Sequence, residues 1–325
     1  MSDPLTAVIL AGGKGTRLRP LTDNVPKPML PVLNRPFLDF LIERLVSVGV
    51  TKIILAVGYK PESLVERYGR GQGFGVEIDY TVEDSPLGTS GAVRAVLPQL
   101  TETFLVLNGD VVTSVDLRSM IDEHTNRREF ATIAIHEEED PSRFGIVQID
   151  GEGYVLRFLE KPKGPRFPSR LVNSGVYVLE PEALRFVPDT GPSMFEIDLF
   201  PNMLRMNMQV HSYTWDGYFL DMGTAESYLA LNRDFLSGKA PTWHEPASDI
   251  IEGKGVSVSP SAIVTGPTVL GPGSMIEDGA TVEGSVLWND VYIGRDARIR
   301  GAVIGSGVTI DAGARIDDGS ILTNP

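Results

Sequence analysis

Between Leu10 and Pro31 the chain concentrates residue types that handle phosphate. The apolar run Ala7-Val8-Ile9-Leu10 ends in Ala11-Gly12-Gly13-Lys14-Gly15-Thr16-Arg17-Leu18-Arg19-Pro20, which reads as a buried strand feeding a glycine-rich turn set with cations. Glycines let backbone N–H groups crowd round an anion and accept positive φ, while Lys14, Arg17 and Arg19 supply charge. The spacing is not that of a Walker loop, which needs Gly-Lys-Ser/Thr after its spacer. Nor is it a dinucleotide fingerprint, which needs a glycine where Leu18 stands and a helix straight after the turn. Pro20, Pro26, Pro28 and Pro31 keep the chain extended instead. On its own the segment also reads as a tight turn with surface cations. Asp110, after Phe104-Leu105-Val106-Leu107, and Asp221, after Tyr218-Phe219-Leu220, add two carboxylates. Such a pair at a sheet edge suits Mg²⁺, which takes one or two carboxylates plus phosphate oxygens and water. Aspartates capping turns after strands are an equally ordinary reading, and Asp216 competes for the second position.

Holding these residues together takes a sheet. Phe37–Leu45 has apolar residues at helical spacing and stops at Gly49, and Lys52–Val57 is a β-rich run ending at Gly58. Residues 61–68 read as a helix, 76–82 as a strand, 90–97 as a helix and 104–107 as a strand. This alternation predicts an α/β fold, a Rossmann-like, mostly parallel sheet with helices on both faces, whose ligands sit beyond the carboxyl ends of the strands. Gly12, Asp110 and Asp221 each follow an apolar run at such an end. The pattern holds over residues 1–236. Residues 237–254, with Ser237-Gly238, Pro241 and Pro246 and no periodicity, read as a linker.

Over 255–325 the period changes. Val258, Val264, Leu270, Ile276 and Val282 recur every sixth residue. After a step of five come Leu287, Ile293 and Ile299, and after another come Ile304, Ile310, Ile316 and Leu322. One inward aliphatic per six residues marks a hexapeptide solenoid, and three positions per coil give about four coils. It resembles the left-handed parallel β-helices, which implies that hand. Hexapeptide acyltransferases use a histidine base, but the histidines here are 124, 136, 211 and 244, so the solenoid has none. A structural or oligomerisation role is favoured. An open solenoid end exposes backbone and apolar rungs, so a homo-oligomer is expected.

With 325 residues, of which 42% are hydrophobic and 22% charged, the chain has ample material for two domains. No apolar run approaches membrane-spanning length, and Met1-Ser2-Asp3-Pro4 is unlike a signal peptide. The absence of cysteine removes disulfides, thiolate metal sites and thiol nucleophiles. A cytoplasmic enzyme is expected. A net charge of −14 repels nucleic acid and anionic membrane, and neither is expected as a partner.

Leu10-Ala11-Gly12-Gly13-Lys14-Gly15-Thr16-Arg17-Leu18-Arg19-Pro20 with Pro26-Lys27-Pro28 resembles the signature of the sugar-phosphate nucleotidyltransferases. The resemblance continues in order through Pro86-Leu87-Gly88-Thr89, Asn108-Gly109-Asp110, Phe144-Gly145, Glu160-Lys161-Pro162, Asn173-Ser174-Gly175 and Phe219-Leu220-Asp221-Met222-Gly223-Thr224. It implies that a sugar 1-phosphate attacks the α-phosphorus of a nucleoside triphosphate with Mg²⁺ assistance. Arg17, Lys27 and Lys161 are the implied catalytic cations. Leu10, Ala11, Gly12, Gly13, Gly15, Thr16, Glu83, Gly88, Thr89 and Asp110 would bind nucleotide. Gly145, Glu160, Lys161 and Asn173 would bind the sugar phosphate, and Asp110 and Asp221 the metal. Without the resemblance, Glu160 and Lys161 read as solvated surface charge, and Gly88-Thr89 as a plain helix start.

Glu83 sits five residues before Gly88, where the family places a base-reading residue. Guanine offers two adjacent donors, N1–H and the 2-amino group, which one carboxylate accepts together. Uracil and thymine flank a single N–H with carbonyls that a carboxylate repels, so GTP is favoured. A solvated Glu83 beside Asp84 is the competing reading. Catalytic domain, linker and hexapeptide tail together resemble the branch acting on mannose 1-phosphate. Pro36–Phe40 and Asp216–Asp221 also resemble the heptose 1-phosphate branch, ranked second, and the glucose 1-phosphate thymidylyl- and uridylyltransferases rank third. Some solenoid-bearing relatives are non-catalytic, nucleotide-sugar-binding regulatory subunits. Retention of Lys14, Arg17, Lys27, Asp110, Lys161 and Asp221 favours the enzyme.

Overall fold

The computed structural model describes residues 5–83, 85–162, 167–241 and 248–324. Met1–Pro4, Asp84, His244 and Pro246, all read above, lie outside them. Contacts divide the chain into two compact units, one made of Met1–Gly13 and Leu41–Phe219, the other of Lys14–Phe40 and Leu220–Pro325. Among the described residues no helix is long and apolar enough to cross a membrane.

The chain begins with β1 (Leu5–Leu10), β2 (Pro31–Val32), β3 (Arg35–Pro36), α1 (Phe37–Ser47), β4 (Val50–Val57) and α2 (Pro61–Tyr68). It continues through β5 (Glu77–Val82), α3 (Thr89–Ala95), β6 (Phe104–Asn108), β7 (Val111–Thr113), α4 (Leu117–Arg127) and β8 (Ala131–Glu137). Then come β9 (Gly145–Ile149), β10 (Val155–Glu160), β11 (Leu171–Leu179), α5 (Phe200–Arg205), β12 (His211–Thr214), β13 (Phe219–Asp221) and α6 (Ala225–Leu236).

In the first unit, β5-β4-β1-β6 form the parallel half of the sheet. Ala7, Val8 and Ile9 at its centre are fully buried, the continuous apolar run that a sheet covered on both faces requires. Leu10 pairs with Ala56 on one side and Asn108 on the other, which aligns the carboxyl ends of β1, β4 and β6. Beyond β6 the sheet is mixed. β11 runs antiparallel to β6, β8 and β9 antiparallel to β11, and β12 parallel to β8. The short link from β9 to β10 closes a hairpin, which parallel neighbours cannot use. Buried Arg44 of α1 donates to Thr113 Oγ1 of β7 (3.0 Å) and to Val115 O. Desolvation lowers its pKa to about 10.

In the second unit, strands β14 (Ile250–Glu252) to β26 (Ile321–Leu322) coil into three parallel sheets, a left-handed β-helix. The twelve aliphatics expected inside form three stacks. These are Val258–Ile276–Ile293–Ile310, Val264–Val282–Ile299–Ile316 and Leu270–Leu287–Ile304–Leu322. Both five-residue steps fall at the corner between the second stack and the third. The outward residues beside the third stack, Val269, Val286 and Val303, are buried as well. Hydrogen bonds mark what this face carries: Asn34 Nδ2 donates to Leu270 O (2.9 Å), and Trp288 Nε1 to the Tyr228 hydroxyl of α6 (3.0 Å). Tyr228 in turn donates to Pro31 O, and Leu33 N–H to Asn232 Oδ1 (3.0 Å). The loop 14–40 is therefore clamped by α6 and the solenoid.

Candidate active site

Past the aligned ends of β1, β4 and β6 lies a cavity of about 320 Å³. Leu10, Gly12, Gly13, Glu83, Gly88, Thr89 and Asp110 border it, so most of the expected nucleotide-binding residues meet there. The Glu83 carboxylate is fixed at both ends of its residue. Its N–H donates to Val57 O (3.0 Å), and its Oε2 accepts from Leu87 N–H (3.0 Å). Its Oε1 lies 3.5 Å from the point a Cβ on Gly12 would occupy, so the carboxylate closes over the glycine turn. Thr89 Oγ1 accepts from Phe195 N–H (3.1 Å), which leaves its hydroxyl hydrogen to donate. The N–H groups of Ser90 and Gly91 both go to Ser193 O, so they are engaged within the protein. Ala11 is buried and gives its N–H to Ala56 O (2.8 Å), continuing the sheet.

A second cluster gathers where β9, β10 and β11 meet. Gly145 pairs with Glu160 across β9 and β10, and Asn173 stands on the neighbouring β11. A Cβ at Gly145 would approach Glu160 Oε2 to 2.9 Å and Glu196 Cγ to 3.6 Å, so glycine lets both acids lie close over this strand. Asn173 Nδ2 donates to the Tyr177 hydroxyl (2.7 Å) and to Glu196 Oε1, while its Oδ1 accepts from Gly175 N–H (2.9 Å). Lys161 Nζ lies 2.8 Å from Glu160 Oε1 and is largely exposed.

Glu196 is the residue that sequence reasoning missed. Two acids, Glu196 and Asp198, alternate with Phe195, Ile197 and Leu199, and the run winds as a wide π-type turn that aims Glu196 at Asn173 and Tyr177. Burial, and next the charge of Glu160, raise its pKa above the ordinary 4.5. Across the window from 4.5 to the raised value, the folded chain keeps a proton that the unfolded chain has released. Stability therefore falls as pH rises through that window. Glu196→Gln keeps an acceptor and removes the titration. Its urea midpoint should vary less with pH above 4.5 than the parent's, and an identical slope would assign the dependence to another group.

In the second unit, Asp221 gathers two cations. Arg17 Nη2 lies 3.8 Å from its Oδ2, and Lys27 Nζ 3.7 Å from its Oδ1. Lys27 is buried, with 8% of its side chain exposed, whereas Arg17 is 62% exposed. Gly15 has φ +61°, and a Cβ there would meet Thr22 Cγ2 at 2.9 Å, so the turn needs glycine. Thr22 Oγ1 locks it by donating to Gly15 O (2.9 Å), and Thr16–Leu18 follow as a tight 3₁₀ turn. Both Asp221 distances exceed a direct charge-assisted bond of about 2.7–2.9 Å, so the cations are gathered without being locked together. Asp216 is exposed. Among the described residues no three His, Asp or Glu side chains converge as a metal cage. Oxygen donors in ones and twos fit a hard divalent ion that takes its remaining ligands from phosphate and water.

A family model described as nucleotidyl transferase matches residues 6–238, and one described as the GMPPB C-terminal domain matches 248–325. The chain is 37% identical to the mannose-1-phosphate guanylyltransferase of Mycobacterium tuberculosis over 88% of this chain and 80% of that one. It is 29% identical to the UTP–glucose-1-phosphate uridylyltransferase of Synechocystis, covering 96% and 90%. Among solved structures, HddC from Yersinia pseudotuberculosis complexed with GMP-PN superposes with a TM-score of 0.61 at 30% identity. That match covers 71% of this chain and 99% of that one.

Proposed function

Because the chain belongs to the nucleotidyl transferase family, we propose that it joins GTP to mannose 1-phosphate, giving a nucleotide sugar and pyrophosphate. A phosphate oxygen of the sugar attacks the α-phosphorus in line. The bond from that phosphorus to the bridging oxygen breaks, and pyrophosphate leaves with the electron pair. A phosphate monoester is already a competent nucleophile, so the chain's residues act by positioning and charge. Arg17 and Lys27 take the developing charge on the polyphosphate, the guanidinium fork matching two oxygens at once. Gly15 and Thr16 shape the turn that aims Arg17. Glu160, Asn173 and Gly145 receive the sugar hydroxyls, and Lys161 its phosphate. The family typically uses a divalent metal. We take it as Mg²⁺, with Asp110 and Asp221 as candidate ligands and charge neutralisation on phosphate as its contribution.

The observation that carries the choice of base is Glu83, held in the cavity by Leu87 N–H with its other oxygen over Gly12. That carboxylate accepts guanine N1–H and the 2-amino group. The sugar assignment rests on the mannose-1-phosphate guanylyltransferase relatives. Pyrophosphate release is to be measured with GTP, dTTP, UTP, ATP and CTP against mannose, glucose and heptose 1-phosphates. GTP with mannose 1-phosphate should dominate, and a dTTP or UTP preference would overturn the base assignment. Hydrogen bonds to a charged group contribute about 1.5–3 kcal/mol, so Glu83→Gln should cost GTP about 10–100-fold in kcat/KM and narrow its lead over UTP. A homo-oligomer paired through the solenoid is part of this reading, and light scattering would reveal it.

A further inference from the structure

The second unit contains a cavity of its own, about 360 Å³, within the range of small-molecule sites. One wall is the signature loop around Asp23 and Asn24; the other is the solenoid at Trp288, Ser306, Thr323 and Asn324. These walls offer a carboxylate, two carboxamides and two hydroxyls. Trp288 spends its single donor on Tyr228, so its indole offers the cavity carbon surface. Among the described lining residues none is Lys, Arg or His. Asp23, the charged residue among the described lining residues, is paired with Arg19 (3.1 Å), so the cavity carries no net charge to hold an anion or a cation, and a wholly apolar ligand would bury polar groups unmatched. The remaining chemistry is that of a neutral molecule dense in hydroxyls with one apolar face.

We propose that this cavity is a binding site for an uncharged mono- or disaccharide, separate from the site for the sugar phosphate. Its position gives such a ligand a route to turnover. Asp23 also holds Arg19 (3.1 Å), and Thr22 holds Gly15 O, so the wall of the cavity and the turn carrying Arg17 are one piece of chain. On the opposite wall, Trp288 connects through Tyr228 to Pro31, just beyond the Lys27 segment. A sugar seated against both walls shifts the presentation of the two cations.

Calorimetric titration of the full chain tests the site without reference to turnover. The probes are methyl α-mannoside, methyl α-glucoside and mannobiose, with inorganic phosphate and mannose 1-phosphate as charged controls. At least one neutral sugar should bind in the millimolar range, typical of a small polar ligand. Ser306→Trp fills the cavity and should abolish that heat; Asn324→Ala removes one carboxamide and should weaken binding at least about fivefold. Both positions are exposed, and Asn324→Ala, which leaves the cavity unfilled, should keep the turnover of the parent in the absence of free sugar. No heat with any neutral sugar up to about 20 mM would overturn the proposal. So would binding unchanged in both variants, which would place the sugar at the substrate site, or a phosphate-bearing control whose tighter binding Ser306→Trp removes.

Discussion

Arg17→Ala should lower kcat by about 10²–10³-fold while the urea unfolding curve stays in place. Removing one aimed donor to developing charge costs roughly 2.7–4 kcal/mol of transition-state stabilisation. Stability is spared for a separate reason. Arg17 is 62% exposed and stands 3.8 Å from Asp221, a surface pair of the kind that contributes about 0–1 kcal/mol. Arg17→Lys should recover only part of the rate, because an ammonium ion is a point charge that cannot grip two phosphate oxygens at once. Steady-state pyrophosphate release, together with unfolding, separates the two effects. A rate for Arg17→Ala within about threefold of the parent would remove Arg17 from the machinery and leave Lys27 with the phosphate charge.

Asp221→Asn should act on both stability and catalysis. Lys27 is buried 3.7 Å from this carboxylate, and a buried cation that loses an anionic neighbour is costly. Since Asp221 is 28% exposed, the loss should be about 2–3 kcal/mol, below the range for a fully buried pair. The catalytic signature is the metal titration, in which the half-saturating Mg²⁺ concentration should rise about tenfold or more. Asp216→Asn, at an exposed site, should change neither quantity. If stability drops while the metal titration stays unchanged, Asp221 serves only as counter-charge to Lys27.

These two residues also show how much of the molecule is legible in the chain. The solenoid is readable position by position, because one inward aliphatic per six residues is a local rule that each coil obeys alone. The cavity past β1 is nearly as readable, since Gly12, Glu83 and Asp110 come just after strand ends that the register brings level. Glu196 is not, because its role exists only once Asn173 and Gly145 meet it across separate strands. The mixed half of the sheet is hidden for the same reason. Pairing between β6, β8, β9 and β11 depends on contacts distant in sequence, which no short window records.

The clamp on the loop 14–40 also bears on how natural variants of this chain should be sorted. Trp288 lies in a coil with no chemical motif, yet its indole holds Tyr228, and Tyr228 holds Pro31. A lesion there belongs genetically with lesions at Arg17 and Lys27, whereas one at exposed Met275 on another face of the same tail does not. Rank by distance along the gene would separate Trp288 from the glycine-rich loop, but inheritance of the defect would join them.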